Sequence, residues 1–205
     1  RRSSDLIIHE FGHGRGVPDI YAMKVDADKN PIAPIACDGT RCIMNYPYGE
    51  TFWSEYAVNM INLAEDKMVE IDNLVADMLP KNLAFKVMAP NGKPVRDAEL
   101  TFYPVGWYSN SVSAEPVYST KTGCDGEVKF DTQKVFPTSE EYGVKYPNAF
   151  VKIASGDMVA YAWLPLYEIE NTTFDGKNTH ETHVSLKDIR PSNPFEFKPN
   201  RKVYY

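Results

Sequence analysis

Residues 9–19 read HEFGHGRGVPD, and that run leaves little freedom in how the chain around it folds. On a helix, His9 and His13 lie one turn apart on one face, so both imidazoles can reach a single metal ion. Glu10 stands beside the first histidine and can reach a metal-held water without ligating the metal. Two nitrogen ligands, a neighbouring base and an open coordination position suit a zinc hydrolase. The helix must then stop and reverse. Gly16 permits the reversal because glycine accepts positive φ, and Asp19 can return as a hard third ligand.

The flanks of this run, Leu6-Ile7-Ile8 and Phe11, are apolar, which predicts a buried helix over residues 3–13. Burying His, Glu and His together is costly unless they are paired or bound to metal. Ser3 or Ser4 is a candidate N-cap, and Gly14 and Gly16 end the helix. Residues 14–50 are loop-like. A second amphipathic helix is expected over 52–79, from apolar positions at Trp53, Tyr56, Met60, Ile61, Ala64, Met68, Ile71, Val75 and Met78. Thr51 or Ser54 could cap it, and Pro80 ends it.

The period changes after Pro80. Short strands are expected at 83–87, 99–103, 127–130, 149–153, 159–163 and 182–186, with turns at Pro90-Asn91-Gly92, Cys124-Asp125-Gly126 and Asp175-Gly176. The fold class read from this is α+β: the helical C-terminal part of a zincin catalytic domain over 1–79, then an antiparallel β-sandwich over 80–189. Residues 190–205 read as an irregular tail.

Hydrophobic residues make up 43% of the chain and aromatics 13%, enough for a packed core. The net charge of −6, with no basic run, argues against nucleic acid as a partner. No apolar run approaches the ~20 residues of a transmembrane helix. Cys37 and Cys42 could close a small disulfide, as in an exported protein, or stay free thiols; Cys124 has no evident partner. The chain opens Arg1-Arg2-Ser3-Ser4 and the motif follows at once, as expected of a fragment or processed form.

The pattern HExxHxxGxxD resembles the zinc signature of the metzincin metalloendopeptidases, in the minority form, exemplified by snapalysin, that uses aspartate as third ligand. Cys42-Ile43-Met44-Asn45-Tyr46 resembles the Met-turn of that clan. The resemblance implies Zn2+ held by His9, His13 and Asp19, Glu10 as catalytic base and Met44 as a hydrophobic base beneath the ligands. The Met-x-Tyr form is similar to astacins and serralysins, which implies that Tyr46 helps stabilise the oxyanion. It also implies a twisted sheet before the active-site helix, whose edge strand binds the peptide; residues 1–79 lack it. The second half resembles carboxypeptidase-regulatory-like, transthyretin-like sandwiches at Asn91-Gly92-Lys93-Pro94-Val95 and Thr122–Val128.

Three other constellations compete. Glu55 is a rival third ligand, placed roughly as in gluzincins. Asp26, Asp28, Asn30 and Asp38 could bind calcium or be solvated, and the EF-hand spacing is absent. His180 and His183 are three apart in strand-like sequence and face opposite sides. The expected function is therefore a zinc-dependent endopeptidase acting on a protein or peptide, at an extracellular, cell-surface or periplasmic location. The alternative is a surface-attachment or protein- or glycan-binding module with a degenerate or structural metal site, its sandwich presenting Trp107, Tyr108, Trp163 or Tyr167.

Overall fold

A computed structural model describes residues 2–48, 50–64, 75–141, 143–188 and 203–204. The helices are α1 (Arg2–His13), α2 (Glu55–Ala64) and α3 (Leu166–Phe174). In chain order the strands are β1 (Trp53–Ser54), β2 (Asn82–Met88), β3 (Glu99–Val105), β4 (Tyr118–Lys121), β5 (Glu127–Asp131) and β6 (Thr138–Ser139). They continue with β7 (Gly143–Val144), β8 (Asn148–Ser155), β9 (Met158–Pro165), β10 (Thr179–Ser185), β11 (Lys187–Asp188) and β12 (Val203–Tyr204).

All six strands expected from the sequence are present, and with β4 and β11 they form two packed sheets ordered β10-β2-β5 and β11-β9-β8-β3-β4. The cause is period-two burial. Leu83, Phe85 and Val87 of β2 and Leu100 and Phe102 of β3 point into one core, with the less buried Ala84, Lys86 and Thr101 between them. Phe102 meets Phe85 and Phe130 of the facing sheet edge-on, with ring centroids 5.5 and 5.3 Å apart. Such pairs contribute roughly 0.5–1.5 kcal/mol each beyond the area they bury. Gly126 (φ +74) is fixed by space as well as conformation, since a Cβ there would lie 2.6 Å from the Val87 carbonyl oxygen.

Several expectations need correction. The sandwich is mostly antiparallel, but β10 runs parallel to β2, with Thr179 opposite Asn82 and Ser185 opposite Met88. The segment after β9 turns into α3, which buries Tyr167, and Trp163 is buried in β9, so neither is a surface aromatic. In α1 the apolar flanks are not buried: Leu6, Ile7, Ile8 and Phe11 are 37%, 70%, 44% and 52% exposed. The tail is not wholly irregular, because Val203 and Tyr204 pair with Ser54 and Trp53; the rest of the tail lies outside the described residues. Of the helix expected over 52–79, α2 is present, capped by Ser54, whose hydroxyl accepts from the Ala57 N–H at 3.2 Å. Residues 65–74 of it lie outside the described residues.

The two halves share cores. One cluster joins Val17, Ile20, Met23, Met44, Tyr56 and Met60 to Val144, Leu166 and Tyr167. Another joins Val25, Ala33 and Cys37 to Val105, Val112, Phe150 and Trp163, covering the outer face of the larger sheet. Cys37 therefore belongs to one cluster and Cys42 to the other, and both are free thiols, which corrects the disulfide alternative. Burial pushes the Cys37 thiol up to about 12 and also raises that of Cys42.

Candidate metal centre

The turn after α1 has the geometry its glycine allows. Gly16 is left-handed (φ +81), its N–H donates to the His13 carbonyl, and the Val17 N–H donates to the Gly12 carbonyl. This is a Schellman closure. It sends the chain back along the helix, and Asp19 arrives beside the two histidines. Ile20 then donates its N–H to the Met44 carbonyl at 3.1 Å, which fixes the returning segment on the Met44 turn.

The three side chains meet closely. His9 Nε2 and His13 Nε2 are 3.1 Å apart, and each is 3.2 Å from Asp19 Oδ1. Three donors on a tetrahedral zinc at about 2.0–2.1 Å stand roughly 3.3–3.4 Å apart. The observed triangle is close to that size.

The hydrogen bonds around the triangle decide what it can hold. His9 Nδ1 donates to the Ile43 carbonyl at 3.0 Å, and His13 Nδ1 donates to the Val17 carbonyl at 2.8 Å. A carbonyl only accepts, so each Nδ1 carries its proton and each Nε2 turns a lone pair inward. Asp19 Oδ1 is buried and has no hydrogen-bond partner of good geometry. Its other oxygen, Oδ2, accepts from the Tyr108 hydroxyl at 3.0 Å. Three lone-pair atoms thus converge on one point, an arrangement that is costly when buried and that a shared cation would satisfy. Among the described residues this is the group of metal-ligating side chains that could hold an ion.

The electrostatics agree. Burial tends to raise the Asp19 carboxyl, but hydrogen bonds from His13, Tyr21 and Tyr108 outweigh it and hold it below the ordinary range. The Asp19 hydrogen bond raises His13 against the cost of burial, helped by the Val17 carbonyl. Tyr21 is raised, by burial first and then by its bond to Asp19.

The other sequence candidates fall into two groups. Glu10 is exposed on α1, and with His9, Tyr21, Lys24, Arg41 and Tyr46 it lines an open cleft of about 820 Å³. Tyr46 is on the cleft wall and well exposed. Met44 is fully buried against α1 at Gly12, where a Cβ would lie 2.7 Å from its sulfur. Glu55 heads α2 and is not in the cluster, so Asp19 is the carboxylate that meets the histidines. Asp26 pairs with Lys24 and Lys29, and the Asn30 side chain caps its own loop through Ile32 and Ala33. His180 Nδ1 meets the Thr172 hydroxyl at 2.8 Å.

Sequence reasoning missed two participants. Gly12 was part of the motif but had no assigned role, although Met44 can approach only because that position lacks a side chain. Tyr108 is 89 residues from Asp19 along the chain, and no local signal connects them.

No protein-family model matches this chain, and no curated protein does. Among solved structures, 3-chlorocatechol 1,2-dioxygenase from Rhodococcus opacus 1CP is 13% identical over 54% of this chain and 60% of its own, with a TM-score of 0.32. The shaft pilin spaA of Lactobacillus rhamnosus GG is 13% identical over 53% of this chain and 48% of its own, TM-score 0.33. The dioxygenase domain of a dioxygenase carbohydrate-binding protein fusion from Streptomyces sp. SirexAA-E is 19% identical over 52% and 80%, TM-score 0.33. The matches thus span 60% and 48% of the first two chains, and likenesses this slight carry no inference about activity.

Proposed function

We propose that this chain carries the metal centre of a zinc-dependent endopeptidase. The observation that carries the reading is the triangle of His9 Nε2, His13 Nε2 and Asp19 Oδ1, with both Nδ1 protons committed to carbonyls. Two imidazoles and a carboxylate suit zinc and also suit ferrous iron. The adjacent Glu10, free on the cleft and one residue from a ligand, favours hydrolysis over redox chemistry.

When bound, the metal supplies Lewis acidity to a peptide carbonyl and to the attacking water. The chain's own groups do the rest. Glu10 takes the proton of the attacking water on its carboxylate and passes it to the leaving amine. The Tyr46 hydroxyl, on the wall of the same cleft, donates to the oxyanion. His9 and His13 are held at fixed tilt by Ile43 and Val17, so their Nε2 atoms need no reorganisation. A location outside the cytoplasm belongs to the same proposal.

Elemental analysis of the purified chain after exposure to zinc tests the centre. About one zinc per chain is expected, and none in His13→Ala. A folded wild-type chain that takes up no zinc would overturn the assignment. Glu10→Gln separates binding from chemistry: zinc stays, and cleavage of a denatured protein substrate drops by at least ~100-fold. A fully active E10Q places the base elsewhere.

A further inference from the structure

We propose that Tyr108 is a positioning residue of the metal centre, delivered by the loop between β3 and β4 of the sandwich. The inference rests on the reading of His9, His13 and Asp19 as metal ligands. It gives the sandwich a part in the centre that a separate attachment module would not have.

The Tyr108 hydroxyl donates to Asp19 Oδ2 at 3.0 Å while Oδ1 faces both histidines. One carboxylate oxygen is thereby occupied and the other is aimed. Tyr21 also hydrogen-bonds this carboxylate, and loss of the Tyr108 bond removes one of the two tyrosine hydroxyls that restrain its rotation about χ2 and its choice of ligating oxygen. Outer hydrogen bonds of this kind fix the orientation and number of ligating atoms.

The backbone holds Tyr108 there at a conformational cost. Tyr108 (φ +57) and Asn110 (φ +54) are both left-handed, a conformation that side-chain-bearing residues seldom adopt and that persists only where surroundings enforce it. The enforcing contacts run to the ligand loop. The Tyr108 N–H donates to the Ala22 carbonyl at 3.3 Å, the Asp26 N–H to the Asn110 carbonyl at 3.0 Å, and the Val112 N–H to the Lys29 carbonyl at 3.0 Å. The Ser111 hydroxyl also donates to the Lys29 carbonyl, at 3.2 Å. Burial of the ring is not the reason for the strain, since Tyr108 is 54% exposed. Its hydroxyl is the group that reaches a buried partner. Tyr21 completes the arrangement, stacked on the His9 ring at 6.3 Å and edge-on to Tyr108 at 6.4 Å.

The test uses cobalt(II) as probe on the full chain stripped of metal, comparing wild type, Tyr108→Phe and His13→Ala. Wild type should bind one Co2+ with a visible d–d spectrum, and H13A should lose it. Y108F should bind about ten-fold or more weakly and show a shifted d–d band, because the released carboxylate changes how it ligates. The metal-free melting temperature of Y108F should match wild type. Unchanged affinity and spectrum in Y108F overturn the proposal while leaving the metal centre intact. Weaker binding with an unchanged spectrum and a lowered metal-free melting temperature overturns it too, by giving Tyr108 a merely structural part. Wild type that binds no Co2+ overturns the metal centre itself.

Discussion

The two halves of the molecule are held together by different means. Residues 80–188 carry their own order: ladders of backbone hydrogen bonds and a closed aromatic and aliphatic core between two sheets. Residues 2–64 have two helices, two short 3-10 turns and long irregular stretches. Their buried apolar residues pack mostly against α3 and the outer face of the larger sheet. Their polar centre is the His9, His13 and Asp19 cluster, which could hold a cation. The sandwich is the scaffold, and the half that carries the candidate metal centre is a loop-rich system laid over it. Burial along α1 shows the same contrast. His9 and Gly12 are buried, while Leu6, Ile7, Ile8 and Phe11 keep large exposed surfaces.

The largest test of this comparison is made in the sandwich. Phe102 is fully buried and edge-on to two other rings. Phe102→Ala should cost about 3–5 kcal/mol, measured by urea denaturation followed by circular dichroism. If the metal half leans on the sandwich, zinc binding should be lost in the same transition. Zinc retained after the strands have melted would show that the halves are independent.

How much of this was readable from the sequence follows from the range of each interaction. The strands were legible because alternation is local: Leu83, Phe85 and Val87 announce a face without reference to anything else. The meeting of His9, His13 and Asp19 was legible because these residues and Gly16 lie within eleven positions and obey helix and turn geometry. The parallel pairing of β10 with β2 was not, because it joins segments about ninety residues apart and leaves no mark on either. Helix α3 was hidden by its composition. Asn171, Thr172 and Thr173 are poor helix formers, and the helix forms because Leu166, Tyr167 and Ile169 find a core. The exposure of Leu6, Ile7 and Ile8 broke the usual link between apolar sequence and burial.

The next prediction concerns the seam. Glu170 of α3 is fully buried, opposite the equally buried Tyr56 of α2, and neither has a well-formed hydrogen bond. Burial raises the Glu170 carboxyl well above the ordinary range, against a lowering interaction with Tyr56. Unfolded, the same carboxyl titrates near pH 4.3, roughly. Above that pH the folded state keeps a proton that the unfolded chain has released, so stability falls as pH rises toward the folded value. The slope is at most about 1.4 kcal/mol per pH unit. Glu170→Gln keeps the shape without the ionisation. Thermal melts should show E170Q matching wild type at pH 4 and exceeding it at pH 7. Parallel curves across that range would mean that the seam holds no strained carboxyl.

The smallest effect lies under the His9, His13 and Asp19 cluster. In an exposed helix, Gly→Ala stabilises by roughly 1 kcal/mol. At Gly12 the new methyl would lie 2.7 Å from the Met44 sulfur and 2.9 Å from the Trp53 ring, so the packing must give. Overpacking of this kind costs about 1–3 kcal/mol, and the net effect of Gly12→Ala should be a destabilisation of up to roughly 2 kcal/mol. Met44→Ala removes the obstacle and leaves a cavity of its own. The double variant should therefore be less unstable than the two single changes added together, because the methyl added at Gly12 enters space that Met44 has vacated. Contacting residues couple by about 0.5 kcal/mol or more, whereas distant ones add. A double-mutant cycle in urea measures this term. Strict additivity would separate Met44 from the ligand helix and remove the packing argument for a hydrophobic base beneath His9 and His13.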